Sequence, residues 1–245
     1  MDAAIRVAEV PAARGVGWIS QAFALFRRAP LAWIGLCAGW LAIWFGLLMI
    51  PLIGPVAGNL LQPVFFAGFA IAAFKQTAGE PVTMGELFGG FKRNLRGLIQ
   101  IGLIMVFVQL ASIMLVRALG LPAWPADQAF DLMRYAEMLR ERWWVLATGF
   151  TLAAAASGAL WYAPQLLVFH NMPVMHAIRW SVYAALANIG AMLVYGAMLL
   201  LLLFIAWIPF ALGMLVMLPV MVISTYPGYR DVFEARGGTP ITATP

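Results

Sequence analysis

Residues 29–74 and 180–229 contain no aspartate, glutamate, lysine or arginine. Each stretch is about twice the ~20 apolar residues that one helix needs to cross a bilayer. Each also carries proline near its middle, Pro51 and Pro55 in the first and Pro209 in the second. A charge-free run of double length with a central breaker predicts a helical hairpin dissolved in lipid, and this chain has two. Composition agrees, because only 10% of residues are charged, where soluble domains carry about a quarter. Helices satisfy their own backbone polar groups in lipid, and long unbroken apolar runs exclude the alternating pattern of a membrane barrel. The predicted fold class is all-α, a polytopic integral membrane bundle.

Six spans fit the pattern, at roughly 31–50, 54–74, 96–117, 143–169, 187–208 and 210–227. They make a membrane domain over 31–230, preceded by residues 1–30 and followed by a tail, 231–245. The opening residues are too polar for a signal-peptide core, and the run after Pro30 is too long for one, so the first span is expected to direct insertion. Lysines and arginines fall at the ends of the runs. Eleven lie on the side that receives both termini and four, Arg117, Arg134, Arg140 and Arg142, on the other. That bias predicts both termini in the cytoplasm. It also accounts for the net charge of +5 without nucleic acid, and no nucleic-acid partner is expected.

Three segments read as helices lying on the membrane surface, each ahead of a span. Residues 18–28 place Trp18, Ala22, Leu25 and Phe26 on one side and end in Arg27 and Arg28. Residues 83–93 present Leu87, Phe88 and Phe91 and end in Lys92 and Arg93. Residues 173–183 present Val174, Ile178 and Val182 beside Arg179. Each is followed by one span and then by a second containing proline, Pro63, Pro164 or Pro219, which suggests a loose threefold repeat. The external segment 118–142 is expected to hold an amphipathic helix along Leu132, Ala136, Leu139 and Trp143, capped by Asp127.

Candidate chemistry is sparse. His170, Met172, Met175 and His176 stand within seven residues and offer imidazole and thioether ligands that suit a soft ion such as Cu(I); the bland reading is a helix entry, with Asn171 as cap and Pro173 in the first turn. Asn59, Gln62 and Pro63, with Tyr162, Pro164, Gln165 and Pro219, could line a membrane path through carbonyls freed by proline. Their bland reading is that polar side chains re-satisfy those carbonyls. Arg27, Arg28, Lys92 and Arg93 are candidate lipid-headgroup contacts. Gly35 and Gly39 form a small-residue pair for helix packing. All ten acidic residues lie outside the spans, which argues against proton or cation coupling. No nucleophile–base pattern or phosphate-binding loop is present, so no enzyme activity, catalytic residue or cofactor is expected. Cys37, the single cysteine, reads as a small buried hydrophobe.

The stretches PAARGVGWISQAFALFRRAPLAWIGL, IPLIGPV, GELFGGFKRN and YRDVF resemble a family of small inner-membrane proteins of Gram-negative bacteria with no established activity. The resemblance covers most of the chain but not 118–142. It implies an inner-membrane location and six spans, and it carries over no functional residues.

The first functional expectation is a non-enzymatic accessory, assembly or membrane-organising factor. Its partners would be membrane lipids together with another protein or a second copy of the chain. The alternatives are a permease or lipid-handling protein built on the proline-containing spans, and copper handling at the His/Met cluster.

Overall fold

The computed structural model describes residues 6–121, 131–208 and 210–234. Among these, all regular structure is helical. The order is α1 (Arg14–Arg28), α2 (Pro30–Leu48), α3 (Ile53–Thr77), a 3₁₀ helix (Met84–Lys92), α4 (Leu95–Ala118), α5 (Leu132–Glu141), α6 (Trp143–Ala159), α7 (Ala163–His170), α8 (Val174–Ala187), α9 (Ile189–Trp207) and α10 (Met214–Phe233). Five segments are long and apolar enough to cross a membrane: α2, α3, α4, the α6–α7 pair and α9. The expected count of six is therefore met by five. The sixth segment, α10, is 20 residues long but ends in Ser224, Thr225, Tyr226, Tyr229, Arg230 and Asp231, which lower its hydropathy. Pro209, Asp127 and the tail from residue 235, each given a role above, lie outside the described residues. Within them, the cap of α5 is Asp131, whose carboxylate accepts from the backbone N–H of Met133 at 2.9 Å and Arg134 at 3.2 Å.

Helix α3 is the hub, packing on α2, α4, α7, α10 and the 3₁₀ helix. Its contacts depend on backbone approach. A Cβ on Gly68 would sit 2.5 Å from the Leu87 carbonyl oxygen, and one on Gly90 would meet the Val64 carbonyl, so α3 and the 3₁₀ helix touch backbone to backbone. Gly35 and Gly39 of α2 face Met84 and Leu87 of the same 3₁₀ helix, placing that pair inside the bundle. Close approach of this kind is how helices gain contact when lipid is as apolar as their side chains.

Three units can be superimposed on the sequence by counting. Shifted by 159 positions, Pro30–Leu48 becomes Ile189–Trp207, both 19 residues. The same shift carries the hairpin residue Leu52 (φ 62°) onto Ala211 (φ 61°), and Gly54 onto Gly213. Each of these glycines lies against the residue seven positions earlier, Leu47 or Ala206. It also carries buried Trp18, Ala22, Leu25 and Phe26 onto buried Ala177, Ser181, Ala184 and Ala185. A shift of 65 takes buried Trp33, Leu36 and Cys37 onto Leu98, Ile101 and Gly102. The loose repeat expected from the sequence is thus visible in boundaries and burial rather than in residue identity.

The units interlock in a cycle. The 3₁₀ helix of the second lies on α3 of the first, α8 of the third on α7 of the second, and α1 of the first on α10 of the third. At the centre, Phe74 of α3, Phe169 of α7 and Tyr226 of α10 touch one another with ring centroids 5.6, 6.2 and 6.0 Å apart. Such aromatic pairs favour offset or edge contacts and add to simple burial. The buried core surrounds this triangle, on the side holding the start of α2 and α4 and the ends of α3, α7 and α10. We call this side the basic face. The far halves of α2, α4 and α9 are largely exposed and apolar, as lipid-facing surface should be.

Two expectations about the surface helices are corrected. The apolar face of α1 meets α10 and α9, with Trp18 and Ala22 at 1% and 0% exposure, so it packs on protein and not on lipid. In α8 the inward face is Ala177, Ser181, Ala184 and Ala185, while Val174, Ile178 and Val182 are only half-buried. An apolar helix face looks the same in sequence whether lipid or protein covers it.

Gly68→Val and Gly90→Val should each destabilise the bundle by roughly 1–3 kcal/mol through overpacking. Gly46→Ala, where nothing lies within 4 Å, should be neutral. Thermal unfolding in detergent, followed by tryptophan fluorescence, checks the contrast.

Candidate functional site

Polar side chains collect at the basic face, and their partners divide them into a clasp and an open pocket. The clasp centres on Asp231, in the last turn of α10. Its carboxylate accepts from Arg14 Nε at 2.9 Å and from Trp18 Nε1 at 2.9 Å, and pairs with Arg14 Nη2 as well. Asp231 is 8% exposed, so α1 supplies the counter-charge that a buried carboxylate requires. The neighbouring Arg230 turns the other way, to Gln21 Oε1 at 2.8 Å. Although Arg230 and Asp231 are adjacent, each has its own partner on α1.

Asn188, at the joint of α8 and α9, ties in the N-terminal segment. It accepts from the Val10 N–H at 2.8 Å and donates to Ala8 O at 3.0 Å and Ala184 O at 3.1 Å. The Ala8 N–H donates to Val232 O at 2.8 Å. Gln76 performs the same duty one unit away, accepting from Trp33 Nε1 at 3.0 Å and donating to Leu25 O at 3.1 Å. Lys75 holds the 3₁₀ helix through Glu86 at 3.0 Å. The signal for these residues was available: Asn188 is the lone asparagine in a charge-free run of fifty residues, and a solitary amide in such a run needs a partner.

Two residues of the expected membrane path, Asn59 and Gln165, bond nearby backbone. Asn59 donates to Pro55 O at 2.8 Å. Where α6 gives way to α7 ahead of Pro164, Ser181 donates to Ala159 O at 2.7 Å and accepts from the Tyr162 N–H at 3.1 Å. The Gln165 amide, with its nitrogen turned inward, donates to Trp161 O at 3.0 Å and Tyr162 O at 3.2 Å. Near Pro219, Ser224 and Thr225 donate to Met221 O at 2.7 Å and Val222 O at 2.9 Å. Pro63, Pro164 and Pro219 are buried and Gln62 is half-buried. Tyr162 is fully buried against Phe233 at 5.6 Å, and its hydroxyl lacks a partner among the described residues.

The four residues of the His/Met cluster have different surroundings. The Nε2 of His170 shares a hydrogen bond of 2.7 Å with the Tyr229 hydroxyl. Met172 packs against the core, whereas Met175 and His176 are exposed. No group of three or more metal-binding His, Cys, Asp or Glu side chains occurs among the described residues.

The pocket lies beside the clasp, between α1, α3 and α10. It has a volume of ≈ 250 Å³ and is lined by Gln21, Leu25, Arg28, Thr77, Tyr226 and Arg230, with Ala24 and Pro227 completing the wall. The Thr77 hydroxyl donates to Phe74 O at 2.6 Å. Among the described residues neither Arg28 nor Arg230 forms an ion pair. Burial raises the Glu234 carboxyl above its ordinary range, with Arg230 acting against that. Arg27 points away and stacks over Phe23, 5.7 Å from the ring centre. Lys92 and Arg93 are exposed on the 3₁₀ side of the face, and neither lines the pocket.

A probable inner membrane protein of Burkholderia thailandensis is 30% identical to this chain over 221 residues, which cover 85% of the chain and 77% of that relative. The chain belongs to that family of inner membrane proteins. No family model matches it, and no solved structure does. Family membership and the five span-capable helices together make it an integral protein of the bacterial inner membrane.

Asp231→Ala would leave the Arg14 guanidinium and the Trp18 N–H without their acceptor. The expected loss is on the order of 1–3 kcal/mol, because unpairing a buried donor is costly while Arg14 is 46% exposed and can turn to water. Asp231→Asn should fall between, keeping an acceptor for Trp18 but not the charge. Unfolding midpoints of the purified variants measure this order.

Proposed function

We propose that this family member is a non-enzymatic accessory or membrane-organising protein, set in the inner membrane with its basic face and both termini in the cytoplasm. The observation that carries the reading is the employment of the polar groups near the span prolines. Asn59, Gln165, Ser224 and Thr225 are each bonded to a carbonyl of the local backbone, so these groups are taken up by their own segments instead of facing a shared space. The cavity at the basic face is lined by none of the residues suggested for a membrane path. Charged chemistry sits at the face, where its largest element, the Arg14–Asp231 clasp, ties helices together. Orientation is supported by the eleven-to-four bias of basic residues, which follows the positive-inside rule.

Two measurements test the proposal. In a Cys37→Ser background, Glu137→Cys should react with a membrane-impermeant maleimide in intact spheroplasts, and Gly79→Cys only after lysis. The reverse pattern would overturn the orientation. Liposomes containing only this protein should show no saturable flux of amino acids, sugars or short-chain amphiphiles above protein-free vesicles. Saturable uptake abolished by Gln165→Leu would transfer the assignment to a permease.

A further inference from the structure

We propose that the pocket between α1, α3 and α10 is a binding site for a single phosphate group carrying net negative charge, as on the headgroup of an anionic phospholipid. The argument begins with charge. Arg28 and Arg230 line one cavity from two different helices, and neither forms a direct ion pair among the described residues, although the Glu234 carboxyl acts on Arg230 from one turn further along α10. Two guanidinium groups that share a recess repel each other unless an anion stands between them. Planar guanidinium forks match phosphate oxygens better than any other side chain does.

The remaining lining fits the same ligand. Gln21 holds the Arg230 guanidinium by a 2.8 Å hydrogen bond and so presents it already oriented. The Tyr226 hydroxyl supplies a neutral group able to donate to a phosphate oxygen, while the Thr77 hydroxyl donates to Phe74 O at 2.6 Å. The C-terminal ends of α1, α3 and α10 reach the pocket, each with about half a negative charge, and the Glu234 carboxyl acts on Arg230 from the end of α10. An anion is therefore held here by the geometry of the two guanidinium forks and not by an excess of positive charge. The volume, ≈ 250 Å³, lies just under the roughly 300 Å³ at which drug-sized pockets begin, which suits a headgroup and not a larger metabolite.

Position favours a lipid as the source. Arg28 stands two residues before Pro30, where the first span begins, and Leu31 beside it is 83% exposed. A phosphate bound to Arg28 would therefore lie at headgroup depth, with acyl chains free to run along α2. This distinguishes the pocket from Arg27, Lys92 and Arg93, which offer exposed charge without a cavity.

The full-length protein in nonionic detergent can be titrated with dioleoylphosphatidylglycerol, dioleoylphosphatidylcholine, glycerol 1-phosphate and inorganic phosphate, with occupancy read by native mass spectrometry. One phosphatidylglycerol per chain is expected, weakened about tenfold by Arg28→Gln and by Arg230→Gln and unchanged by Arg27→Gln. Arg28 is exposed, so its variant should keep the wild-type unfolding midpoint, and Arg230→Lys should restore part of the affinity. Equal affinity for glycerol 1-phosphate, with the same dependence on Arg28 and Arg230, would support the phosphate site and assign it a soluble ligand. Equal binding of phosphatidylcholine, or equal weakening by Arg27→Gln and Lys92→Gln, would overturn the proposal.

Discussion

Apolar helices gain little by leaving lipid for one another, so a membrane bundle must find its cohesion in close backbone contact and in polar groups with nowhere else to bond. Both sources are concentrated at one face of this protein. Gly68 and Gly90 bring α3 against the 3₁₀ helix, and Gly15 brings α1 against the Ala191 carbonyl of α9. The Asp231 carboxylate then fixes α1 to α10 through Arg14 and Trp18. Moving away from that face, the helices lose partners and present Phe107, Phe150, Phe204 and Trp207 outward. The packed end is a protein core, and the other end relies on lipid.

That division bears on what the molecule can do. A carrier needs polar groups that face a shared space at mid-depth, whereas here Asn59, Gln165, Ser224 and Thr225 are bonded to backbone carbonyls of their own segments. The groups left over are cationic and sit where helix ends meet the headgroup layer. Among these groups Arg28 and Arg230 are the pair that shares a cavity. Tyr229 and His170 form a second contact at the same face, 2.7 Å apart.

The spans were legible because a charge-free run has one physical explanation at this length. Hairpin turns were legible from Pro51 and Gly54. Faces were not, since Trp18, Ala22 and Leu25 would serve equally against lipid or against α10. The repeat was faint because its register is kept by size and burial: Trp18 corresponds to Ala177, and Leu36 to Tyr195, pairs that share no side-chain chemistry. The pocket was half legible. Arg28 stood out as a span-flanking charge, with Gln21 two turns before it on the same helix, but Thr77 and Arg230 meet it only through the tertiary fold, from positions up to about two hundred residues away. The break ahead of Pro164 gave no hint that a serine on α8 would repair it.

The cyclic interlock makes the chain's own beginning an ordinary seam. Ala8 is bonded to Val232, which brings the two ends of the described chain together at the same face as the two internal junctions, near residues 80 and 172. All three junctions occupy equivalent places in the ring. A gene rearranged to start at either internal junction, with the old ends joined by a short linker, would encode the same helices crossing in the same directions. In the natural order α1 must wait for α10 to be made before its buried face is covered. Starting at residue 80 or 172 passes that wait to the 3₁₀ helix or to α8, so the order of translation, rather than the architecture, decides which surface helix is left uncovered longest.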